Sequence, residues 1–270
     1  MTSSRHESSR GHLLSDRAWL DLHLEACRAE YTEMVEWTGF SPGYRVLDVG
    51  CGAGSFLSIL RDVVPNGDLH GCDLATENAR LAATRGFQSS VAASVLTLPY
   101  FDASFDAVWC ANVVEFFSPE DLDTAMRELR RVVRPGGLVA VKDVDVQLLR
   151  IRPADPHLAT RLSMATIANP STSRQALGSL IGRELRRRLE GAGLTNVVQR
   201  TWLIERWAPL LPVEHDFFAQ WFDYLAGVAD RVELPQADRT QWRRLAGGSL
   251  LDHPELYVSE GQVVAVGRVP

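Results

Sequence analysis

Residues 46–56 read VLDVGCGAGSF, and this stretch carries the strongest structural signal in the chain. The short apolar run that ends at Asp48 and Val49 predicts a buried strand. Glycines at positions 50, 52 and 54 predict a tight turn, where a ligand can lie against bare backbone. The helical pattern over 56–64 then points its N-terminal amides and the positive end of its dipole at that ligand. The sequence therefore predicts a ligand-binding strand–turn–helix unit.

A second acidic residue, Asp73, ends the next strand pattern, nineteen residues after Gly54. A carboxylate at this place can accept hydrogen bonds from both hydroxyls of a ribose, and it can also cap the helix that follows. The glycine spacing is G-x-G-x-G, whereas a dinucleotide fingerprint has glycine where this chain has Ser55. We therefore expect a ribose-containing ligand, and a nicotinamide-dependent dehydrogenase is the weakest alternative.

Strand and helix patterns alternate along most of the chain. A proline after Ser118 and the segment 134–137 mark the two ends of one helix. This alternation predicts a parallel sheet that is covered by helices on both faces. The predicted strands are 45–49, 68–72, 88–93, 105–111, 138–144, 196–207 and 263–269, and the predicted helices are 15–37, 56–64, 77–85, 119–133, 174–190, 214–228 and 238–246.

Composition restricts the class of protein further. The 270 residues are 46% hydrophobic and 23% charged, which is typical of a globular domain with a large core. A net charge of −6 argues against a nucleic-acid partner, because such proteins neutralise phosphates with basic side chains. The cysteines form no CxxC pair and have no histidine at ligand spacing, so we expect neither a metal site nor disulfides.

The chain shows no pattern for a membrane partner. It has no run of 18 apolar residues, and its polar N-terminus lacks the apolar core of a signal peptide. We therefore expect a cytoplasmic protein with a disordered tail over residues 1–14.

Four motifs together resemble the class I S-adenosylmethionine-dependent methyltransferases, most closely the branch that acts on small molecules. They are the glycine turn, Asp73, the segment 98–106 (LPYFDASFD) and the segment 130–137 (RRVVRPGG), in the family's order across 42–145. The resemblance implies an α/β fold with a Rossmann-like, mostly parallel seven-stranded sheet, an antiparallel last strand, helices on both faces and helical lid insertions. It implies a single domain over 15–270, with its core at 42–145 and 174–270 and with lid segments at 15–38, 146–173 and 208–258.

The resemblance also implies S-adenosylmethionine as the cofactor and assigns residues to it. Asp48 would hold the ammonium side, the turn around Cys51 would surround the methionine part, and Asp73 would bind the ribose. The family often has an aspartate at the position of Ser94. A serine hydroxyl is a weaker partner for the adenine amino group than a carboxylate. The cofactor-binding residues implied are Asp48, Gly50, Cys51, Gly52, Gly54, Asp73, Leu74, Ser94, Val95, Ala111 and Asn112.

A catalytic base is needed only when the methyl acceptor must lose a proton. Such a base must reach the cleft at the carboxyl ends of the strands. Asp143 and Asp145 end the fifth strand on one face and Glu115 follows the fourth, while His157 and His215 lie in segments that could cover the site. These five are the candidates, and each has a structural alternative as a solvated or surface residue. His23 on the first helix receives less weight.

We expect methyl transfer to an oxygen, nitrogen or carbon of a small, largely apolar molecule. Aromatic residues at Trp202, Trp207 and 217–224 could line its pocket or simply belong to the core. The N/D-P-P-Y/F motif of the branches that modify DNA amines or amides is absent after the fourth strand. Two alternatives remain open, namely an enzyme that uses only the positive charge of the cofactor for a cyclisation or rearrangement, and a binding module without turnover. A homo-oligomer is possible, since the first helix is long enough to swap between subunits.

Overall fold

A computed structural model of the chain describes residues 17–169, 178–248 and 250–270. Within these residues, seven strands form one sheet, and nine α-helices and two short 3-10 helices surround it. The strands are β1 Arg45–Val49, β2 Asp68–Asp73, β3 Ser89–Ala92, β4 Phe105–Ala111, β5 Val133–Arg152, β6 Thr195–Trp207 and β7 Tyr257–Arg268. The α-helices are α1 Arg17–Ala26, α2 Arg28–Trp37, α3 Leu57–Val63, α4 Thr76–Arg85, α5 Pro119–Val132, α6 Leu158–Ala168, α7 Leu185–Gly191, α8 Pro212–Arg231 and α9 Gln236–Ala246, and the 3-10 helices are Val114–Phe116 and Gly178–Glu184.

The sheet has the strand order β3-β2-β1-β4-β5-β7-β6. The first five strands in this order are parallel, and β7 runs antiparallel to both β5 and β6. The predicted fold class is therefore confirmed. The chain order reverses between β1 and β4, which is where open α/β sheets bind their ligands, beyond the carboxyl ends of the strands.

Alternating side chains of the strands build one core on each face of the sheet. In β1, Val46 packs into the core below α1, α2, α3 and α8, whereas Leu47 and Val49 pack into the core below α5 and α7. This period of two is what a strand buried on both faces requires. The helix that begins after Ser118 is capped as predicted, because the Ser118 hydroxyl accepts a hydrogen bond from the amide of Asp121.

The fifth strand is longer than predicted. The sequence pattern placed it at 138–144 and assigned 146–173 to a lid, but β5 continues to Arg152. After a register shift beyond Asp145, Arg150–Arg152 pair with Ser259–Tyr257 of β7. Residues 146–152 therefore belong to the sheet, because the N-terminal end of β7 pairs with β6 on one side and leaves its other side for β5. Nearby prolines hid this pairing in the sequence.

The predicted first helix, 15–37, is divided into two helices in the structure, because the helical backbone is interrupted at Cys27 between α1 and α2. The predicted helix at 174–190 is a 3-10 turn followed by α7 over its described part, and residues 174–177 lie outside the described residues. The predicted tail at 1–14 lies outside them as well. Among the helices in the described ranges, none combines the length and the apolar character needed to cross a bilayer.

Candidate functional site

The turn after β1 has a backbone that glycine alone accommodates easily. Gly50, Gly52 and Gly54 have φ values of 73°, 53° and 89°, in the left-handed region. A Cβ atom on Gly50 would collide with the Val113 side chain, and one on Gly52 would lie 2.9 Å from Leu20 Cδ1. The turn is therefore bare where α1 and the segment after β4 approach it most closely.

Asp73 ties the end of β2 to this turn. Its carboxylate accepts hydrogen bonds from the backbone amide of Gly52 at 2.9 Å and from that of Ala75 at 2.9 Å. The side-chain amide of Asn78 donates to it as well, at 3.2 Å. Asp73 thus forms a turn just before α4, whose N-cap residue is Ala75, and it also holds the glycine turn in place.

A cavity of about 380 Å³ lies at the carboxyl ends of β1, β2 and β4, below α1 and α8. Nine of the eleven predicted cofactor residues line it, namely Gly50, Cys51, Gly52, Asp73, Leu74, Ser94, Val95, Ala111 and Asn112. Leu74 stands at the rim with a half-exposed side chain. The structure therefore brings together residues that the sequence distributes over more than sixty positions.

Asp48 and Gly54 lie outside the lining of the cavity. Asp48 is fully buried, and its Oδ2 atom has no hydrogen-bond partner among the described residues. Burial, with a smaller contribution from the charge of Asp73, raises the pKa of Asp48 to about 8. A Cβ on Gly54 would meet Phe87 at 3.3 Å and Ala82 at 3.4 Å, so this glycine allows α4 to pack closely.

The end of β4 is held by the chain's single lysine. Lys142 is fully buried on β5, and its Nζ atom donates to Asn112 Oδ1 at 2.5 Å. The same ammonium group lies 4.7 Å from the centre of the Tyr31 ring, a cation–π contact. Burial lowers the pKa of Lys142, because the charged form loses its hydration. The sequence analysis did not identify this residue, although a lysine within a run of buried strand residues was the available signal.

Only two of the five predicted catalytic residues, Glu115 and Asp145, line the cavity. Asp145 forms an ion pair with Arg183 at 2.6 Å. Asp143 is fully buried outside the lining, and its carboxylate accepts hydrogen bonds from the amides of Glu115 and Val144. Burial raises the pKa of Asp143. Asp143 therefore supports the loop after β4, and its prediction as a base facing the acceptor was wrong.

The two predicted histidines are also away from the cavity. His157 is an exposed residue at the start of α6, where its backbone amide donates to Asp155. His215 lies on α8 in a separate surface pocket, with Nε2 3.8 Å from the exposed Asp252. Neither can reach a molecule between β4 and α1, so both predictions are corrected. The packing of the segments that carry the two histidines decides where these side chains lie, and the sequence does not encode this packing locally.

A histidine that received little weight lies in the cavity instead. His23 Nε2 is 2.8 Å from the Tyr31 hydroxyl and 3.7 Å from Glu260 Oε1, and the Cys27 thiol donates to the same oxygen at 3.5 Å. The His23 ring stacks on Phe217, with centroids 4.7 Å apart and planes 4° apart. We call His23, Cys27, Tyr31 and Glu260 the His23 cluster. A glutamate within the apolar β7 strand was the sequence signal that could have revealed it.

Aromatic and aliphatic side chains form much of the rest of the cavity wall. Phe217, Trp221 and Tyr224 of α8 line the cavity, together with Trp19 of α1 and Phe56. Other members of the predicted aromatic group do not line it: Trp202, Phe218 and Phe222 are buried in the core, and Trp207 is exposed. The cavity thus has a polar end at the strand ends and an apolar end beneath two helices.

Comparison with known proteins finds relatives that match part of the chain. The methyltransferase domain family matches residues 47–141. Methyltransferase GfsG of Streptomyces halstedii is 32% identical over 139 residues, which cover 49% of this chain and 49% of that protein. The 2-phytyl-1,4-naphtoquinone methyltransferase of Trichormus variabilis is 33% identical over 117 residues, which cover 40% of this chain and 50% of that protein. The chain therefore spans about half the length of these curated relatives.

A solved structure extends the likeness to nearly the whole chain. The (4+2) cyclase SpnF superposes with a TM-score of 0.51 and 21% sequence identity, covering 97% of this chain and 96% of that one. This likeness concerns the fold. The match over residues 47–141 and the named methyltransferase relatives support a class I S-adenosylmethionine-dependent methyltransferase, with S-adenosylmethionine as the cofactor.

The residues present fit that cofactor. Gly50 and Gly52 line the cavity, and the Asp73 carboxylate stands at the end of β2 next to them. Buried Asp48, whose Oδ2 atom has no hydrogen-bond partner among the described residues, lies just before this turn.

Proposed function

We propose that this chain transfers the methyl group of S-adenosylmethionine to a small, largely apolar acceptor bound in the same cavity. The observation that carries the proposal is the composition of that cavity, which joins the glycine turn and Asp73 at one end to an aromatic wall at the other. Residues 15–270 would act as one domain, with α1 and α8 covering the site.

The cofactor-binding residues divide the cofactor between them. Asp73 accepts hydrogen bonds from the ribose hydroxyls, and Leu74 packs on the adenine at the rim. The backbone of Gly50 and Gly52 surrounds the methionine part, whose ammonium group Asp48 compensates. Ser94, Val95, Ala111 and Asn112 complete the enclosure from the ends of the neighbouring strands.

The bound cofactor supplies a sulfonium methyl group, which is already electrophilic. The protein must therefore hold the nucleophile in line with the methyl group at ~3 Å and keep water away. Trp19 and Phe217, in contact at 5.3 Å between ring centroids, close the cavity where α1 meets α8. Burial of an apolar acceptor against this wall supplies the binding energy for that alignment.

A small acceptor is favoured over a nucleic acid by charge and shape. The chain carries a net charge of −6, and the acceptor end of the cavity is walled by aromatic side chains beneath two helices. A nucleic-acid substrate needs a basic surface for its phosphates, which this charge balance disfavours. The name of one curated relative, the naphtoquinone methyltransferase, refers to an apolar small molecule.

Calorimetric titration with S-adenosylmethionine and release of S-adenosylhomocysteine test this function. We expect saturable binding, and release of S-adenosylhomocysteine with some member of a panel of apolar alcohols, phenols, carboxylic acids and amines. Asp73→Asn should weaken cofactor binding, whereas Asp252→Asn, at an exposed aspartate, should not. Cofactor binding without any S-adenosylhomocysteine release, while an acceptor is converted to a product, would instead favour use of the sulfonium charge for a cyclisation or rearrangement. No cofactor binding at all would contradict the proposal.

A further inference from the structure

The His23 cluster joins two distant parts of the chain inside the cavity. His23 and Cys27 lie at α1, Tyr31 lies on α2, and Glu260 comes from β7. His23 and Glu260 both line the cavity and are mostly buried, with side-chain exposures of 16% and 10%. The cavity therefore contains a mostly buried carboxylate next to an imidazole.

The contacts of the imidazole ring leave one nitrogen for a ligand. Nε2 faces the Tyr31 hydroxyl and the Glu260 carboxylate, and Phe217 covers a ring face. In the tautomer with the proton on Nε2, that nitrogen donates to the Tyr31 hydroxyl oxygen at 2.8 Å and faces the Glu260 carboxylate at 3.7 Å, whose charge favours this tautomer. Nδ1 then carries the lone pair, and it has no hydrogen-bond partner among the described residues.

Glu260 can stabilise a positive charge on His23. Burial acts to raise the pKa of Glu260, but the interactions with His23, Lys142 and Cys27 outweigh it, so the pKa is lowered. Glu260 is therefore an anion at neutral pH. An imidazolium beside this anion is stabilised by an electrostatic attraction that is stronger in a low-dielectric site than in water.

Contacts connect the His23 cluster to the cofactor end of the cavity. Leu20, one helical turn before His23, approaches the Cβ position of Gly52 to 2.9 Å. From the other side, Lys142 contacts both Asn112 and the Tyr31 ring. His23 is thus linked to Asn112 through Tyr31 and Lys142, and its own helix contacts the glycine turn at Leu20.

We propose that His23 is the general base of the reaction, positioned by Glu260 and Tyr31, and that the acceptor is an apolar molecule methylated on a hydroxyl oxygen. This inference rests on the proposed function. The acceptor O–H bond breaks and its proton passes to His23 Nδ1. The oxygen forms a bond to the methyl carbon while the carbon–sulfur bond breaks, and that electron pair remains on the sulfur of S-adenosylhomocysteine.

A hydroxyl acceptor explains why a base is present. A neutral hydroxyl is a weak nucleophile, and removal of its proton during attack contributes typically 10²- to 10⁴-fold to the rate. Charged and titratable groups around the His23 cluster come from the N-terminal helices and from three strands. They are Cys27, Glu30 and Tyr31 on the N-terminal helices, Lys142 and Asp143 on β5, Arg206 on β6, and Glu260 on β7.

The first test uses acceptors of different acidity. We expect His23→Gln to bind S-adenosylmethionine normally but to lose about 10²- to 10⁴-fold in turnover with an apolar acceptor whose hydroxyl is protonated at the assay pH. With a nitro-substituted analogue that is already ionised, the loss should shrink to less than about tenfold, because no base is needed. An equal loss with both acceptors, or a wild-type enzyme that methylates only amines or carbons, would overturn the proposal. His253→Gln is the matched control.

The second test does not depend on an acceptor. In protein labelled with carboxyl ¹³C-glutamate, Glu260→Gln identifies the Glu260 signal by its loss. His23→Gln should raise the pKa of Glu260, since an interaction that lowers it is removed. An unchanged titration would refute the pairing of the two residues. Because this titration needs no cofactor, it separates a failure of the pair from a failure of the proposed methyl transfer.

The third test addresses a metal ion, since ligand atoms of His23, Cys27 and Glu260 lie within 4.8 Å of one another. We expect turnover to survive dialysis against a chelator, and the protein to take up no stoichiometric Zn²⁺. Loss of turnover that Zn²⁺ restores would assign the cluster to a metal and overturn its role as a base. Tyr31→Phe, which keeps the ring beneath Lys142, should lower turnover less than His23→Gln does.

Discussion

The Asp73 carboxylate accepts a hydrogen bond from the backbone amide of Gly52 at 2.9 Å. One acidic side chain thus connects the end of β2 to the turn after β1, and it faces the cavity at the same time. The position expected to bind the ribose is therefore also the position that holds the cofactor turn, so the two effects must be separated by measurement.

Replacing Asp73 by Ala should weaken cofactor binding by about one to two orders of magnitude. The reason is the loss of charge-assisted hydrogen bonds worth roughly 1.5–3 kcal/mol. Isothermal titration calorimetry with S-adenosylmethionine measures the effect, and urea unfolding without ligand measures the separate loss of the Gly52 and Ala75 contacts. An unchanged dissociation constant would be incompatible with the ribose role.

Gly50→Ala should reduce both stability and cofactor binding. The new Cβ would collide with Val113 Cγ2, and the φ value of 73° is unfavourable for alanine. We expect a lower midpoint of thermal unfolding. Gly39→Ala is the matched control, because its φ value is 75° but nothing lies within 4 Å of its Cβ position. A similar loss in both variants would show that strain alone is responsible.

Asp48 should make the stability of the ligand-free protein depend on pH. Its pKa is about 8 in the folded chain against 3.8 in its unperturbed state, so the folded state keeps a proton that the unfolded state releases. The contribution of Asp48 to stability is therefore lost as pH rises from about 4 to about 8. Asp48→Asn cannot ionise, so its free energy of unfolding relative to the wild type should increase between pH 5 and pH 8. Parallel curves for the two proteins in urea titrations would contradict this.

Asp143→Asn should destabilise the protein without abolishing catalysis. Its two carboxylate oxygens accept hydrogen bonds from the amides of Glu115 and Val144, and an asparagine side chain can accept only one of them. Leaving a buried amide unpaired costs about 1–3 kcal/mol. Turnover per folded molecule should stay within a few-fold of the wild type. A loss of turnover with unchanged unfolding would restore Asp143 as a candidate base.

Local sequence patterns predicted the alternation of strands and helices, and the family resemblance supplied the sheet topology and the residues expected at the cofactor end. Glycine at 50, 52 and 54 and an acid at 73 act through backbone conformation and through the ends of adjacent strands, and both are encoded by neighbouring residues. The course of β5 was not predictable in the same way. Residues 146–152 become strand because β7, more than one hundred positions later, pairs with them.

By itself, the amino-acid sequence determined the alternation of strands and helices, the glycine turn and the acids at the ends of β1 and β2. These features depend on interactions within a few residues or on the period of apolar side chains. Only the tertiary structure decided which titratable groups face the acceptor end. It placed His23 beside Glu260 and moved His157, His215 and Asp143 away, because α1, α8 and β7 meet through packing between segments far apart in the chain.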